Sequence, residues 1–305
     1  MDLGQLEMLV AVAQEKSFSR AADRVHRTQS AVSQAIQRLE AEIGSSLFDR
    51  SSRSGSLTEA GRVLYEYAQQ MLNLRREAHA AIQELGSLRR GKITIAANEY
   101  TVMHLLPVLG AYRARHPHIA IEIKRTLASR IPLEILAREA EIGIVTYRPA
   151  QPALTVVPIA TDELALLVAP GHPLAGRAMV SIRELGAESF LAHNVRSPYR
   201  ERVVQTFERH RTPLHISMEL PTLEAVRRLV ELGLGVALMP RLAAAAEIAR
   251  GDIAAIGVRE MRFERSVHLV YRSKALSHAA LAFVQCACEL QRAPEKRSPA
   301  PRSRS

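Results

Sequence analysis

Residues 28–40, TQSAVSQAIQRLE, decide the fold of the N-terminal part of this chain. Val32, Ile36 and Leu39 recur at helical spacing and predict a buried stripe on a helix that Thr28 caps. The opposite side carries amides and hydroxyls in place of the usual Glu and Lys: Gln29, Ser30, Ser33, Gln34 and Gln37. Such a surface is typical of a helix that approaches phosphates and base edges, since carboxylates would be repelled there.

The residues around this helix predict a compact helical domain over residues 1–57. Ser19 is the predicted cap of a preceding helix, and His26 and Arg27 form the tight connection between the two helices. Gly44 is the predicted C-terminal cap, and residues 48–57 (FDRSSRSGSL) predict a small basic hairpin, or wing. Two short helices joined by a tight turn, the second with a polar outer face, indicate a helix-turn-helix.

Composition is consistent with a globular chain that binds a polyanion. The 305 residues are 47% apolar and carry a formal net charge of +10. The basic excess indicates a nucleic-acid or membrane-surface partner, or else a genome that favours Arg. The N-terminus lacks signal-peptide features, and no run is long enough to span a membrane. We therefore expect a cytoplasmic protein without a membrane partner.

Residues 58–90 predict a long helix that Thr58 caps. Its apolar positions are spaced by threes and fours over several heptads: Leu64, Ala68, Met71, Leu74, Ala78, Ile82 and Leu85. This spacing favours a coiled-coil seam with a second copy of the chain. The alternative is that the helix packs within its own chain.

Residues 91–292 predict an α/β domain. Strand patterns at Ile93–Ala97, Ile119–Ile123 and Ile142–Val145 alternate with helical patterns, which predicts a mainly parallel sheet with right-handed crossovers. A second α/β unit begins near Glu163, and a late strand and a late helix follow it in the chain. Residues 293–305 are rich in Pro, Ser and Arg and predict a disordered basic tail.

The sequence carries no enzymatic signature. It has no nucleophile elbow, no Gly-rich phosphate loop and no clustered metal-ligand spacing, so neither catalysis nor a bound cofactor or metal is predicted. Cys286 and Cys288 lie in an apolar helical pattern and are interpreted as half-buried thiols. A transport-type solute-binding protein is a further alternative, against which the helix-turn-helix and the missing signal peptide argue.

Residues 1–70 resemble the winged helix-turn-helix of the LysR-type transcriptional regulators. The matching segments, in order, are FSRAA at 18–22, TQSAVS at 28–33, LFDR at 47–50 and LTEAG at 57–61. The resemblance continues to about residue 290, through HPLA at 172–175 and GLGVALMP at 233–240. It implies a winged helix-turn-helix, a linker helix and an effector domain of two subdomains like a periplasmic binding protein, at 91–162 with 266–292 and at 163–265.

The resemblance also implies function and partners. It implies a regulator that binds double-stranded promoter DNA and is modulated by a small-molecule effector of unspecified identity. It further implies a homodimer through the linker helix and a homotetramer through the effector domains, with RNA polymerase as another candidate partner. The expected DNA contacts are these residues: Thr28, Gln29, Ser30, Ser33, Gln34, Arg50 and Arg53.

Ligands of such α/β domains bind at the carboxyl ends of strands and the N-termini of helices. The predicted effector contacts at these ends are Asn98, Tyr100, Thr101, Ala128, Ser129, Thr146, Asn194, Ser197 and Thr222. Their hydroxyls and amides would suit a small anion, although the same residue types also cap helices that bind nothing. Glu99 departs from this pattern, because a carboxylate would repel an anionic effector.

Overall fold

The computed structural model describes residues 1–49, 56–86, 91–195, 197–262, 265–274 and 276–292. The N-terminal part is helical: α1 (Leu3–Glu15), α2 (Phe18–Arg24), α3 (Gln29–Ile43) and α4 (Glu59–Gly86). Val32, Ile36 and Leu39 of α3 are buried against α1, α2 and the start of α4, as their spacing predicts. The burial of this apolar stripe holds α3 in place, since a short isolated helix is marginal in water.

The cap of α2 differs from the sequence prediction. Ser17, not Ser19, caps the helix, and its Oγ accepts a hydrogen bond from the Arg20 N–H at 3.4 Å. The helix starts at Phe18, whose ring contacts Phe48 with 5.4 Å between centroids. This aromatic contact at the first helical position leaves Ser19 inside the helix.

The long helix α4 packs partly within its own chain. Thr58 accepts from the Gly61 N–H at 3.0 Å, as predicted for a cap, and Leu64, Ala68 and Leu72 pack on the core of the first three helices. The predicted coiled-coil seam is therefore divided. Leu64 and Ala68 pack inside the chain, whereas Met71, Leu74 and Ile82 are exposed.

The rest of the chain forms two α/β lobes. Its strands are β1 (Lys92–Ala97), β2 (Ala120–Arg125), β3 (Ile142–Val145), β4 (Leu154–Asp162), β5 (Leu164–Val168), β6 (Met179–Val180), β7 (Ser189–His193), β8 (His215–Leu220), β9 (Ala237–Pro240), β10 (Ala254–Val258) and β11 (Arg265–Arg272). Its helices are α5 (Leu106–Arg115), α6 (Ile131–Leu136), α7 (Pro198–Arg209), α8 (Leu223–Glu231), α9 (Ala245–Arg250) and α10 (His278–Arg292).

The first lobe is a five-stranded sheet in the order β2-β1-β3-β11-β4. The β1–β2 and β1–β3 pairs are parallel, as predicted, but β11 runs antiparallel to both β3 and β4. The prediction of parallel pairing is therefore confirmed for β1, β2 and β3, on which it rested, and the other half of the sheet is antiparallel. The reason is that β11 returns from the other lobe and enters between two strands that are consecutive in sequence.

The second lobe lies between β4 and β11 in the chain. It contains a sheet in the order β6-β10-β5-β9 and a parallel pair, β7 and β8. Phe190 on β7 bridges to Val236 beside β9, which joins the two parts. The chain therefore crosses between the lobes twice, after β4 and before β11.

A polar joint connects α4 to the first lobe. Asn73, which is buried, donates to the Ala137 carbonyl at 2.6 Å. Glu77 forms ion pairs with Arg138 and with the buried Arg272, the latter at 2.6 Å. Burial lowers the pKa of Arg272, and Glu77 opposes that change. These contacts fix the direction of α4 relative to the first lobe.

Candidate functional site

Helix α3 is capped at both ends, so its outer surface is held rigidly. Thr28 Oγ1 accepts from the Ala31 N–H at 3.2 Å and lies 3.1 Å from Ser30 Oγ. Gly44 ends the helix in the left-handed conformation, with φ 75°. This conformation favours glycine, and the two ends therefore stand where the sequence predicts them.

The polar face of α3 is available to a partner. Gln29, Ser30 and Gln34 are exposed and Ser33 is half-buried. Across the described ranges, no hydrogen bond engages the side chains of Gln29, Ser33 and Gln34. Amide and hydroxyl groups that the chain leaves unused can donate to, or accept from, the edges of bases.

The carboxylate of Glu40, near the end of this helix, is engaged by the backbone. Its Oε1 accepts from the N–H groups of Leu47 and Phe48, at 2.7 and 3.3 Å. It thereby holds the segment that leads into the predicted wing, where Phe48 and Leu57 pair antiparallel. Arg50 and Arg53, the predicted wing contacts, lie outside the described residues.

An apolar stripe is exposed along α4. Its members lie three, four or eight residues apart: Val63, Tyr67, Met71, Leu74 and Ile82. Ile82 is 67% exposed. None of these residues is among Leu64, Ala68 and Leu72, which pack on the first three helices. A contiguous apolar stripe of this kind is typical of an interface.

A cavity of about 400 Å³ lies between the two lobes. Its lining combines the loops after β1, β2 and β3 in the first lobe with β7, α7, α8 and β9 of the second. The walls are mainly apolar and include Phe190, Leu191, Tyr199, Val203 and Met239. A concave, largely apolar site with a few polar groups suits a small organic molecule.

The predicted effector residues divide into two groups. Those that line the cavity are Asn98, Tyr100, Ala128, Thr146 and Ser197. Those absent from its lining are Thr101, Ser129, Asn194 and Thr222. Ser129 and Asn194 are exposed to solvent.

Thr222 is used as a helix cap, and Thr101 is engaged by the backbone of Asn98. The fully buried Thr101 accepts from the Asn98 N–H at 3.0 Å and donates its own N–H to Asn98 Oδ1 at 2.8 Å. Thr222 accepts from the Ala225 N–H at 3.1 Å at the start of α8. Both hydroxyls are engaged by the backbone, which is the alternative role of these residue types.

The sequence alone did not single out several charged residues at the cavity. Arg125, His193 and Arg200 line it together with Glu99. Arg200 donates to the His193 carbonyl at 3.0 Å and forms an ion pair with Glu219. Arg125, His193 and Arg200 can be identified as cavity residues only from the three-dimensional structure, because the cavity is built from segments that are distant in sequence.

Two classes of site are not indicated in the described ranges. No group of three or more His, Cys, Asp or Glu side chains there could hold a metal ion. No helix there is long and apolar enough to cross a membrane.

Comparison with known proteins gives a consistent result along the chain. Residues 3–62 match the bacterial regulatory helix-turn-helix proteins of the lysR family, and residues 86–291 match the LysR substrate binding domain. A probable RuBisCO transcriptional regulator of Synechocystis sp. is 32% identical over 285 residues, or 90% of this chain and 83% of the relative. A protein of the same name from Cyanidioschyzon merolae is 30% identical over 291 residues, or 93% of this chain and 96% of the relative.

Solved structures share the fold at lower identity. Full-length CbnR in complex with its target DNA is 22% identical and aligns with a TM-score of 0.71 over 95% of this chain and 99% of that one. A full-length OxyR variant from Pseudomonas aeruginosa is 23% identical, with a TM-score of 0.69 over 96% and 95% of the two chains. The chain belongs to the LysR family: it is a DNA-binding transcriptional regulator, not an enzyme, that joins a helix-turn-helix to a substrate-binding domain.

Proposed function

We propose that this regulator reads promoter DNA with the N-terminal half of α3 and responds to a small effector held between its two lobes. The supporting observation is the capped, uncharged polar face of Gln29, Ser30, Ser33 and Gln34. Within the described part of the chain, the one side-chain hydrogen bond on this face joins Ser30 to the capping Thr28. Ser33 and Gln34 are the proposed base contacts. Thr28, Gln29 and Ser30 at the helix start contact the backbone or the first base, where the helix dipole favours a phosphate.

The wing arginines Arg50 and Arg53 have a different proposed role. They contact phosphates or the minor groove, so they add affinity without reading base edges. Substitution of either by Ala would weaken binding evenly across sequences and reduce its dependence on salt.

A substitution in α3 tests the reading role directly. Gln34→Ala should cost about 1–3 kcal/mol on the preferred site and should relax the choice of base at one position. Gln205→Ala is the matched control, because it makes the same change on an exposed helical position of α7, outside the DNA-binding domain. Binding of the two variants to a library of single-base promoter variants is measured by fluorescence anisotropy. If Gln34→Ala weakened binding to all sequences alike, Gln34 would be a phosphate contact.

We further propose that the exposed stripe of α4 pairs antiparallel with its copy in a homodimer, and that effector domains join two dimers into a homotetramer. An ionised side chain buried in such a seam would be costly without a partner. Met71→Glu should therefore shift the dimer to monomer in sedimentation, whereas Gln205→Glu adds the same charge on an exposed residue of α7 and should not. If the two variants had the same sedimentation behaviour, the dimer interface would not lie on this stripe.

Effector binding is proposed to act by changing the angle between lobes or between dimers, and so the DNA bend. Bending a promoter site costs about 1–6 kcal/mol. A ligand that binds one arrangement about 10⁴-fold more tightly supplies about 5.5 kcal/mol, which is of the same size. DNA footprints with and without the effector test this step, and an identical footprint and bend angle would contradict it.

A further inference from the structure

Glu99 lines the cavity and connects the two lobes. It follows β1 by two residues, yet its Oε1 accepts from the N–H of Leu223, the first residue of α8, at 3.0 Å. Its Oε2 lies 3.5 Å from Arg125 Nη2 and 3.8 Å from His193 Nε2. The Glu99 carboxylate of the first lobe is thus hydrogen-bonded to the N-terminus of α8 in the second lobe.

The start of α8 is the place where the cavity would bind an anion. The first N–H groups of a helix have no partner within the helix, and they carry a partial positive charge. In this chain Glu99 takes the Leu223 N–H and Thr222 takes the Ala225 N–H. Two of the donors that would hold a ligand carboxylate are therefore already used by the protein.

The two arginines of the cavity lining do not reverse this conclusion, because Arg200 is paired with Glu219 and Arg125 with Glu99. Arg125 approaches Oε2 of Glu99, and the Arg125 side chain is 70% exposed. Water and salt screen an exposed charge strongly, and its nearest opposite charge is Glu99 itself. A second carboxylate placed here would meet Glu99 at short range, and like charges in a partly desolvated site repel each other.

Beneath the carboxylate the cavity is apolar. Leu191, Leu223 and Val226 line it from the second lobe, together with Met239. A carboxylate has two oxygens with about four lone-pair positions, so Glu99 can accept further hydrogen bonds from a guest. The site thus combines a mainly apolar wall with a hydrogen-bond acceptor, the Glu99 carboxylate.

We propose, on the basis of the function proposed above, that Glu99 sets the specificity of the cavity. The site selects an apolar molecule with a hydrogen-bond-donating head group, uncharged or cationic, and rejects carboxylates.

Three probes that share a phenyl ring test this proposal: phenylacetate, 2-phenylethanol and 2-phenylethylamine. Their binding to the full-length protein is measured by NMR titration. The wild type should bind the alcohol and the amine at least tenfold more tightly than the carboxylate. Glu99→Gln keeps the side-chain size and removes the charge, so this preference should shrink at least tenfold. Glu208→Gln is the matched control; it removes an exposed carboxylate of α7 that does not line the cavity, leaves Glu99 in place and should retain the preference.

Ala192→Phe separates this proposal from the assignment of the cavity. Ala192 is half-buried in the cavity wall, and a phenyl ring there would fill the space of the probe. If Ala192→Phe abolishes binding, the probes bind in the cavity. The role of Glu99 alone would then be refuted by equal affinity for the three head groups, or by an unchanged preference in Glu99→Gln. Binding that Ala192→Phe leaves unchanged, or no binding of any probe, would refute the cavity as the ligand site and this proposal with it.

Discussion

Gly61 in the first turn of α4 allows a very close backbone contact in the DNA-binding domain. A Cβ at this position would lie 2.0 Å from the Leu47 carbonyl oxygen and 2.9 Å from its carbon. That carbonyl accepts from the Thr58 N–H at 3.0 Å, so it cannot retreat without the loss of a hydrogen bond. Gly61→Ala must therefore push α4 away from the segment that leads into the wing.

Two effects of Gly61→Ala oppose each other. Alanine in a helix is favoured over glycine by about 0.5–1 kcal/mol. Overpacking against a fixed neighbour costs about 1–3 kcal/mol, and contact with backbone belongs at the upper end of that range. We therefore expect a net destabilisation of about 2 kcal/mol in the DNA-binding domain.

Gly110→Ala is the matched control. Gly110 also lies in a helix, α5, but a Cβ there would meet nothing within 4 Å. The same substitution should stabilise the protein by about 0.5–1 kcal/mol, because only the helix propensity changes.

Hydrogen exchange of the α1 and α3 amides measures the effect locally. A loss of about 2 kcal/mol should speed exchange in this domain by about thirtyfold, since about 1.4 kcal/mol is a factor of ten. Gly110→Ala should leave these amides unchanged. Slower exchange in Gly61→Ala than in the wild type would refute the argument from the Leu47 contact.

Three further predictions concern caps and buried charges. Thr28→Ala should cost about 1 kcal/mol in urea unfolding and Thr28→Ser should restore it, because the serine hydroxyl can cap α3 equally well. Glu77→Ala should cost about 3 kcal/mol, because it leaves Arg272 buried without its carboxylate; a loss below about 1 kcal/mol would contradict this. Burial raises the pKa of Glu141 above 4.5, so the folded state keeps this proton longer than the unfolded state as pH rises, and stability falls through that window. Glu141→Gln should therefore be more stable than the wild type at neutral pH, with the difference vanishing below pH 4.5 in denaturation curves.

The DNA-reading helix could be predicted because its signals are local. Thr28, the apolar stripe and Gly44 lie within one short segment, and each acts on its own neighbours. Ser19 shows the limit even here. Ser17 and Ser19 have similar capping chemistry, and the contact of Phe18 with the distant Phe48 is not visible in the local pattern.

The cavity could be predicted only in outline. The strand ends predict its general place. However, the side chains of Thr101 and Asn98 each accept a hydrogen bond from the other's backbone N–H, and sequence spacing cannot distinguish this role from ligand binding. The position of Glu99 depends on Leu223, 124 residues away in sequence. Strand β4 escapes prediction because its burial does not alternate cleanly and its partner β11 comes about a hundred residues later.

The place of β11 also sets an order of assembly during synthesis. The DNA-binding helices and the strands of the second lobe are complete once about residue 258 has left the ribosome. The first lobe, although it begins earlier in the chain, has a gap between β3 and β4 until Arg272 has emerged. Domains fold as units as they emerge during translation. A nascent chain can therefore form its DNA-reading helix before it has a closed ligand-binding domain, and a chain truncated before β11 would retain the former without the latter.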